Sequence, residues 1–324
     1  MKATTLAVSS GKTDLLPMVL SRKDRVASGV VQLTLTDPRG GRVPEWSPGA
    51  HIDLVLPGDL IRQYSLCGDP ADRSELVVAV LREPRSRGGS AFVHDRLREG
   101  DVIPVRGPRN AFPMVGSERY LFIAGGIGIT PIVPMVVRAA EKGADWRLLH
   151  GGRKRASMAF SHDLAARYPG HVEIRPQDES GLLDLPGLFA GPDESAAIYC
   201  CGPEPLIAAF EKHAELWPAS SLHVERFAGR SWVGEDRPFE LRLARSGRTV
   251  SVPAATSAVD ALAGAGIEVP TSCREGVCGT CETVVLEGEP EHRDALLTEE
   301  ERAEGEVFFP CVSRAKGPCL TVDL

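Results

Sequence analysis

The sequence predicts a multidomain chain: an antiparallel β-barrel, then an α/β domain built on a parallel sheet, then a small α+β domain. Three observations predict it. Residues 17–113 are short apolar runs separated by Gly and Pro, residues 114–228 alternate apolar runs with helix-length segments, and residues 238–324 show a third rhythm around clustered cysteines. A chain of 324 residues is also too long for one ordinary core and suits two or three domains.

Residues 1–16 read as a tail with no apolar stretch of signal-peptide length, which places the protein in the cytoplasm. No apolar run approaches the ~20 residues that span a bilayer. The barrel follows from VVQLTLTDP, AHIDLVLPG, QYSLCGDP, ELVVAVLRE and DVIPVRGP, short strands at even spacing with turn residues between them. From Tyr120 the runs YLFIAGG, WRLLHGG, HVEIRPQ and AAIYCCGP alternate with helical segments such as TPIVPMVVRAAEKG and EPLIAAFEKHAEL, the pattern of βαβ units. Residues 229–237 are polar and turn-rich, a linker. Residues 238–324 run strand, turn, strand (FELRLARSGRTVSVP), a helix of small residues (AVDALAGAG), a cysteine loop and further strand.

The strongest motif lies in that last domain. Cys273, Cys278 and Cys281, spaced x4 and x2, are followed after 29 residues by Cys311. This is the plant-type spacing for four thiolates around a 2Fe–2S cluster. Gly276 and Gly279 let the loop wrap closely and aim its amides at the sulfurs, and Arg274 adds positive charge. Structural zinc is the competing reading, but zinc sites usually pair two short Cys-x-x-Cys hairpins. The other cysteines, Cys67, Cys200, Cys201 and Cys319, read as small buried hydrophobes.

GGIGITP follows a buried strand and opens a helix. Gly125, Gly126 and Gly128 permit a tight turn and close approach of a pyrophosphate; Thr130 caps the helix and Pro131 suits its first turn. The string departs from G-x-G-x-x-G, because Pro131 stands at the third Gly position. A ligand-free strand–helix turn fits it as well. IYCCGPEPL repeats the layout, with Cys201 at the carboxyl end of a strand, the edge where ligands sit in open α/β sheets; Cys201 packs near a nicotinamide or is merely buried. In RQYSLCGDP, Arg62 and Tyr64 share one face and Ser65 the other, which alone describes an ordinary strand. In RSRGGSAFVHD, Gly88, Gly89 and Ser90 with Arg87 form either a phosphate cradle or a glycine loop with an N-cap serine.

Charge is uneven. Residues 238–324 hold 15 Asp plus Glu against 8 Lys plus Arg, a net −7, while the rest holds 29 of each sign. That balance disfavours nucleic acid. It reads equally as a docking face for a basic protein and as solubility.

Together, R-x-Y-S, GGxGxTP with YCCGP, and C-x4-C-x2-C…C occur in one order from about residue 17, and in this the chain resembles the phthalate dioxygenase reductase and vanillate O-demethylase reductase family. The resemblance implies a flavin-binding barrel, an NAD domain and a β-grasp-like ferredoxin domain. It implies that Arg62, Gln63, Tyr64 and Ser65 hold the flavin, Gln63 through its backbone because that position is often Thr in the family. It assigns Gly88, Gly89 and Ser90, which Arg87 adjoins in sequence, to the phosphate of FMN, favouring it over FAD. Arg109–Pro113 also matches, with Phe112 as suited to core as to cofactor. Phe227 matches an aromatic at the isoalloxazine with Glu225 nearby, and Thr130, Arg153, Cys201, Gly202 and Pro203 match nucleotide positions. The run Arg153, Lys154, Arg155 leaves NADPH open beside the favoured NADH. Ser65, Cys201 and Phe227 are the residues expected to shape hydride transfer.

The function so implied is an NADH-dependent reductase that passes single electrons to a separate oxygenase, Rieske-type or, alternatively, a haem-thiolate monooxygenase. A redox sensor without steady turnover is the rival of another class. A self-sufficient oxygenase is disfavoured, because the eight His show no facial-triad spacing.

Overall fold

A computed structural model of the chain describes residues 15–58, 60–84, 88–191, 193, 195–229, 232 and 234–324. The first domain is an antiparallel barrel of β1 (Leu16–Ala27), β2 (Val30–Thr36), β3 (Ala50–Leu56), β4 (Leu60–Ser65), β5 (Glu75–Leu81) and β6 (Val102–Asn110). The order is β4-β3-β6-β1-β2-β5, and a Leu66–Val78 bridge links the two ends. Alternate residues fill it: Leu33 and Leu35, Ile52 and Leu54, Val78 and Val80, Ile103 and Val105 are buried in one core, as the period of two requires. Helix α1 (Gly89–Asp95) inserts Val93 into that core. Its carboxyl end is closed by Lys23, whose Nζ donates to the carbonyls of Val93 at 2.7 Å and of His94 and Leu97 at 2.9 Å. A cation satisfies the last carbonyls and opposes the helix dipole.

The second domain is a parallel sheet, β7 (Arg119–Gly125), β8 (Asp145–Gly152), β9 (Val172–Pro176), β10 (Ala196–Cys201) and β11 (Leu222–Glu225), in the order β11-β10-β7-β8-β9. Helices α2 (Ile129–Glu141), α3 (Ser161–Arg167), two single turns α4 (Gln177–Ser180) and α5 (Leu185–Leu188), and α6 (Glu204–His213) connect them. The chain builds outward from β7 to β9 and then crosses to β10, so the switch point lies between the ends of β7 and β10, where such sheets bind ligands. Tyr199, fully buried, accepts from the Val115 amide at 2.7 Å and donates to the Pro113 carbonyl at 3.1 Å. It ties the segment leaving the barrel to the sheet. Phe112 stacks edge-on against Tyr199 at 5.3 Å and belongs to this core. The two domains also share an apolar seam, in which Ile127, Ala159 and Phe160 pack against Val30, Cys67, Val77 and Ala79.

The third domain joins β12 (Phe239–Leu243), β13 (Arg248–Val252), helix α7 (Ala258–Gly264), β14 (Thr283–Glu287), β15 (Pro290–Glu291), helix α8 (Glu299–Glu304), β16 (Val307–Phe308), β17 (Arg314–Ala315) and β18 (Cys319–Val322). The sheet order is β13-β12-β18-β14-β16, with β12 and β18 parallel at its centre and Ala258 and Leu262 of α7 in its core. Helix α8 is absent from the sequence-based expectation. Its signal is local, a Thr298–Glu301 capping box that satisfies two amides reciprocally. Arg314 is buried and donates to the carbonyls of Pro253 and Thr256 at 2.9 Å and of Arg237 at 2.9 and 3.3 Å. Arg314→Met removes every one of those donors and is expected to cost about 3 kcal/mol, read as a lowered urea midpoint of this domain; an unchanged midpoint contradicts the assignment.

Candidate active site: three stations along one chain

The first station is β4 with the start of α1. Cross-strand pairing puts Arg62 opposite Leu54 and Tyr64 opposite Ile52, whereas Gln63 faces Asp53 and Ser65 faces His51. Arg62 and Tyr64 therefore share the barrel's inner face, and burial pushes the Tyr64 phenol up to about 12. The α1 N-cap is Gly88, in the left-handed region at φ 94°, and not Ser90. Ser90 lies inside the first turn, where its hydroxyl accepts from the Glu83 amide at 3.1 Å. A Cβ on Gly89 would stand 2.5 Å from Arg62 Cγ and Nε, so only glycine lets the guanidinium arm lie across the helix start. Arg87 falls outside the described residues. On the outer face the Gln63 side-chain oxygen is buried without a hydrogen-bond partner among the described residues.

The second station is where the ends of β4, β10 and β11 converge. Cys201 and Glu225 are register partners, with Cys201 Sγ 3.8 Å from Glu225 Oε2. Ser65, from the barrel, hydrogen-bonds the same carboxyl group. Burial pushes Glu225 up to about 8, against the opposing pull of its bonds with Cys201 and Ser65. Burial and the neighbouring Glu225 raise the Cys201 thiol far above its usual range, so it serves as a protonated donor and not as a nucleophile. Phe227, two residues on, is 40% exposed beside this junction.

The glycines of GGIGITP have a different reason from the one the motif suggests. A Cβ on Gly128 would collide with the Cys201 carbonyl, and one on Gly125 would meet Pro203 Cδ and Leu206 Cδ2 at 2.6 Å. They are small because the β7 and β10 loops press on each other; Gly126 instead supplies a left-handed turn at φ 55°. Gly202 belongs to the same contact, its own Cβ position lying 3.0 Å from Gly125 Cα. Thr130 is not the helix cap. A 3₁₀ turn over Gly126–Gly128 starts the helix at Ile129, so the Thr130 hydroxyl donates back to the Ile127 carbonyl at 3.0 Å. Arg153, Lys154 and Arg155 are exposed past the end of β8, and Arg155 is engaged by Glu179 through bonds of 3.1 and 2.6 Å.

The third station is the cysteine loop. Arg274, Gly276 and Gly279 all have positive φ, at 57°, 69° and 73°, which curls the chain round the thiols. Cys273 bonds Cys278, and Cys281 bonds Cys311. Within each pair one thiol donates: Cys278 is drawn down to about 5 by Cys273 and Cys281 is lowered by Cys311, while Cys273 and Cys311 are pushed up. Amides of Glu275 and Val277 face the Cys273 sulfur, Glu275 at 3.3 Å, and that of Gly276 faces Cys311. Among the described residues no three metal-ligating side chains gather round one point. Two pairs of thiols ringed by amides suit two irons with two protein ligands each, not one zinc with four. Arg274 does not serve the sulfurs as expected, because its guanidinium is paired with Asp260.

Residues 241–316 match the 2Fe-2S iron-sulfur cluster binding domain family, and residues 122–212 match the oxidoreductase NAD-binding domain family. The chain is 39% identical to the vanillate O-demethylase oxidoreductase of Pseudomonas sp. strain HR199 over 96% of its own length and 100% of that protein's. The solved structure of phthalate dioxygenase reductase matches with a TM-score of 0.72 at 34% identity, covering 96% of this chain and 98% of that one. It belongs to the phthalate dioxygenase reductase and vanillate O-demethylase reductase family. An intact type IV self-sufficient cytochrome P450 monooxygenase matches with a TM-score of 0.88 at 43% identity; 96% of this chain is covered, and it spans 41% of that longer one.

One residue in this family member's nucleotide domain escapes motif reading. His150, fully buried in WRLLHGG, places Nε2 3.1 Å from the Gly126 carbonyl and props the glycine turn from beneath. Burial pulls its pKa down to about 4, which keeps the ring neutral with one donor for that carbonyl. In sequence it is one more polar residue before a Gly-Gly, with no signal beyond its place at a strand end. Glu225 sets a pH signature. Its folded pKa lies above the unfolded value near 4.5, so the folded chain binds the extra proton and stability falls as pH rises from about 4.5 through 8. Apo wild type is expected to lose more thermal stability between pH 5 and 8.5 than Glu225→Gln; parallel losses contradict this.

Proposed function

We propose that this chain is the reductase component of an oxygenase system, taking hydride from NADH and delivering electrons singly, through FMN and a 2Fe–2S cluster, to a separate oxygenase. One observation carries the reading. The barrel touches both neighbours at its functional edges: Ser65 bonds Glu225 of the nucleotide sheet, and Arg106 Nη1 donates at 3.2 Å to the carbonyl of Thr271, two residues before Cys273. When bound, FMN takes two electrons as hydride and yields them one at a time, which is what a cluster accepting one electron requires.

The chain's own residues do geometric work. Arg62, braced on Gly89, with Gly88, Ser90 and Arg87, holds the FMN phosphate; a single phosphate at this cradle favours FMN over FAD. Gln63, Tyr64 and Ser65 position the ring, and the buried Gln63 oxygen is available to a ring N–H. Gly125, Gly126, Gly128, Thr130, Arg153, Gly202 and Pro203 line the nucleotide's place at the switch point. Cys201, Glu225 and Phe227 close over the nicotinamide end and exclude water. Cys273, Cys278, Cys281 and Cys311 ligate the cluster. The work divides at 17–113, 114–228 and 238–324, with 229–237 between. The cytoplasm is the compartment we propose, a reading that eight free thiols support; among the described residues no helix is long and apolar enough to cross a membrane.

The partner docks on the outer face of the ferredoxin domain. Val284 and Leu286 are 48% and 51% exposed, a few residues beyond Cys281, and Val307, opposite Val284, packs against Cys281 and Cys311. Glu282 and Glu287 flank them in sequence, Glu301, Glu304 and Glu306 lie just before Val307, and all five are exposed. An apolar centre with an acidic rim fits a partner with a basic rim. A Rieske-type oxygenase is the favoured partner; the likeness to the P450 fusion supports a haem-thiolate monooxygenase as a second reading.

Cys278→Ser is expected to abolish NADH-driven reduction of cytochrome c while leaving NADH-to-ferricyanide activity within about twofold, since the latter needs only the flavin. Equal loss of both contradicts the relay. Leu286→Lys is expected to raise the KM for the oxygenase component about tenfold with no change in NADH-driven bleaching of the cluster; an unchanged KM removes this face as the docking site.

A further inference from the structure

The linker between the nucleotide and ferredoxin domains is gripped by side chains of the ferredoxin domain: Arg314 bonds the Arg237 carbonyl, and Arg293 holds Trp232 and Asp236. Arg293 sits on the segment after β15, its side chain 9% exposed. Its guanidinium stacks on the Trp232 ring, 4.2 Å from the centroid, and pairs with Asp236 at 2.6 Å and Glu291 at 2.5 Å. Trp232 and Asp236 are linker residues, whereas Glu291 belongs to the ferredoxin domain. Trp232 is 47% exposed on a polar stretch and Gly234 lies against its indole, so Arg293 is the reason such a ring stays there.

The same segment reaches the cysteine loop. The Ala295 amide donates to the Gly276 carbonyl at 2.8 Å, and a Cβ on Gly276 would stand 3.0 Å from Asp294 Cα. Asp294 is fully buried; it accepts from the Leu296 and Leu297 amides at 3.1 and 3.0 Å and meets Arg302 Nη2 at 3.4 Å, which stiffens the segment. From the other side, Gly229 lies so close to the cysteine loop that a Cβ there would collide with the Glu275 carbonyl. Gly229 is two residues past Phe227. A short closed circuit results: Phe227, Gly229, the Glu275–Gly276 backbone, Ala295, Arg293, Trp232.

We propose that Arg293 is a positioning residue for electron transfer from flavin to cluster: by clamping Trp232 and Asp236 it holds Gly229 on Glu275, and so fixes the cysteine loop against the flavin end of the molecule. The inference rests on the function proposed above. In the step concerned one electron leaves the reduced flavin and one ferric ion becomes ferrous; Arg293 touches neither group and acts only on their separation.

The test uses full-length holoprotein with NADH as sole reductant, as wild type, Arg293→Gln and Trp232→Ala. Flavin reduction and cluster bleaching are followed separately by anaerobic stopped flow. Cluster content is read from the visible and electron paramagnetic resonance spectra, and the 229–237 segment is probed by limited proteolysis. Both variants are expected to keep wild-type flavin reduction and cluster spectra, to bleach the cluster at least about fivefold more slowly, and to be cut faster in the linker. Should Arg293→Gln lose its cluster, Trp232→Ala decides, because that ring lies on the surface. Wild-type bleaching and proteolysis rates in Trp232→Ala overturn the proposal. A wild type whose cluster is not bleached by NADH at all overturns the functional reading instead.

Discussion

The structure turns on how closely the backbone of the cysteine loop is gripped. The Thr271 carbonyl accepts from Arg106 of the barrel, the Glu275 carbonyl abuts Gly229 of the linker, and the Gly276 carbonyl accepts from Ala295. These contacts are made to main-chain atoms of the loop, so they set where its three thiols, Cys273, Cys278 and Cys281, stand. Passing single electrons from flavin to cluster requires no substrate pocket at that step. Its precision lies in the distance between groups, and backbone contacts at glycine set distances with the least freedom.

The same economy governs the junction of barrel and nucleotide sheet. Ser65, Cys201 and Glu225 come from three strand ends in two domains, and what joins them is a carboxyl group that burial keeps mostly protonated at neutral pH. A neutral acid can donate as well as accept, which lets it bond both a thiol and a hydroxyl with no buried charge to compensate. His150 is likewise kept neutral under the glycine turn, and His51, behind Ser65, is pulled down to about 4 by burial and by Arg109. Both imidazole rings and this carboxyl group are thus kept mostly neutral near where barrel and nucleotide sheet meet, while the net negative charge of the chain lies in the ferredoxin domain.

What the sequence discloses and what it conceals divides along physical lines. Thiol spacing is legible because cluster geometry constrains chain length directly, and the change of rhythm near Tyr120 is legible because a barrel and a parallel sheet need different periods. The glycines of GGIGITP are conspicuous, yet their cause is the neighbouring loop at Cys201, a contact between segments about 70 residues apart. AHIDLVL breaks the expected alternation: His51 and Asp53 are fully buried on the outer face, where Asp53 meets Arg109 at 2.7 Å. No periodicity announces a sheet covered on both sides. Arg293 reads as one charge in an acidic stretch, and only the fold brings Trp232 beneath it.

The most direct test of the account is a count of electrons. Anaerobic titration of holoprotein with NADH, monitored in the visible spectrum, is expected to end near about 1.5 equivalents per chain, two electrons residing on the flavin and one on the cluster. An end point at one equivalent, with the cluster's absorbance and iron content intact but unbleached, would contradict it.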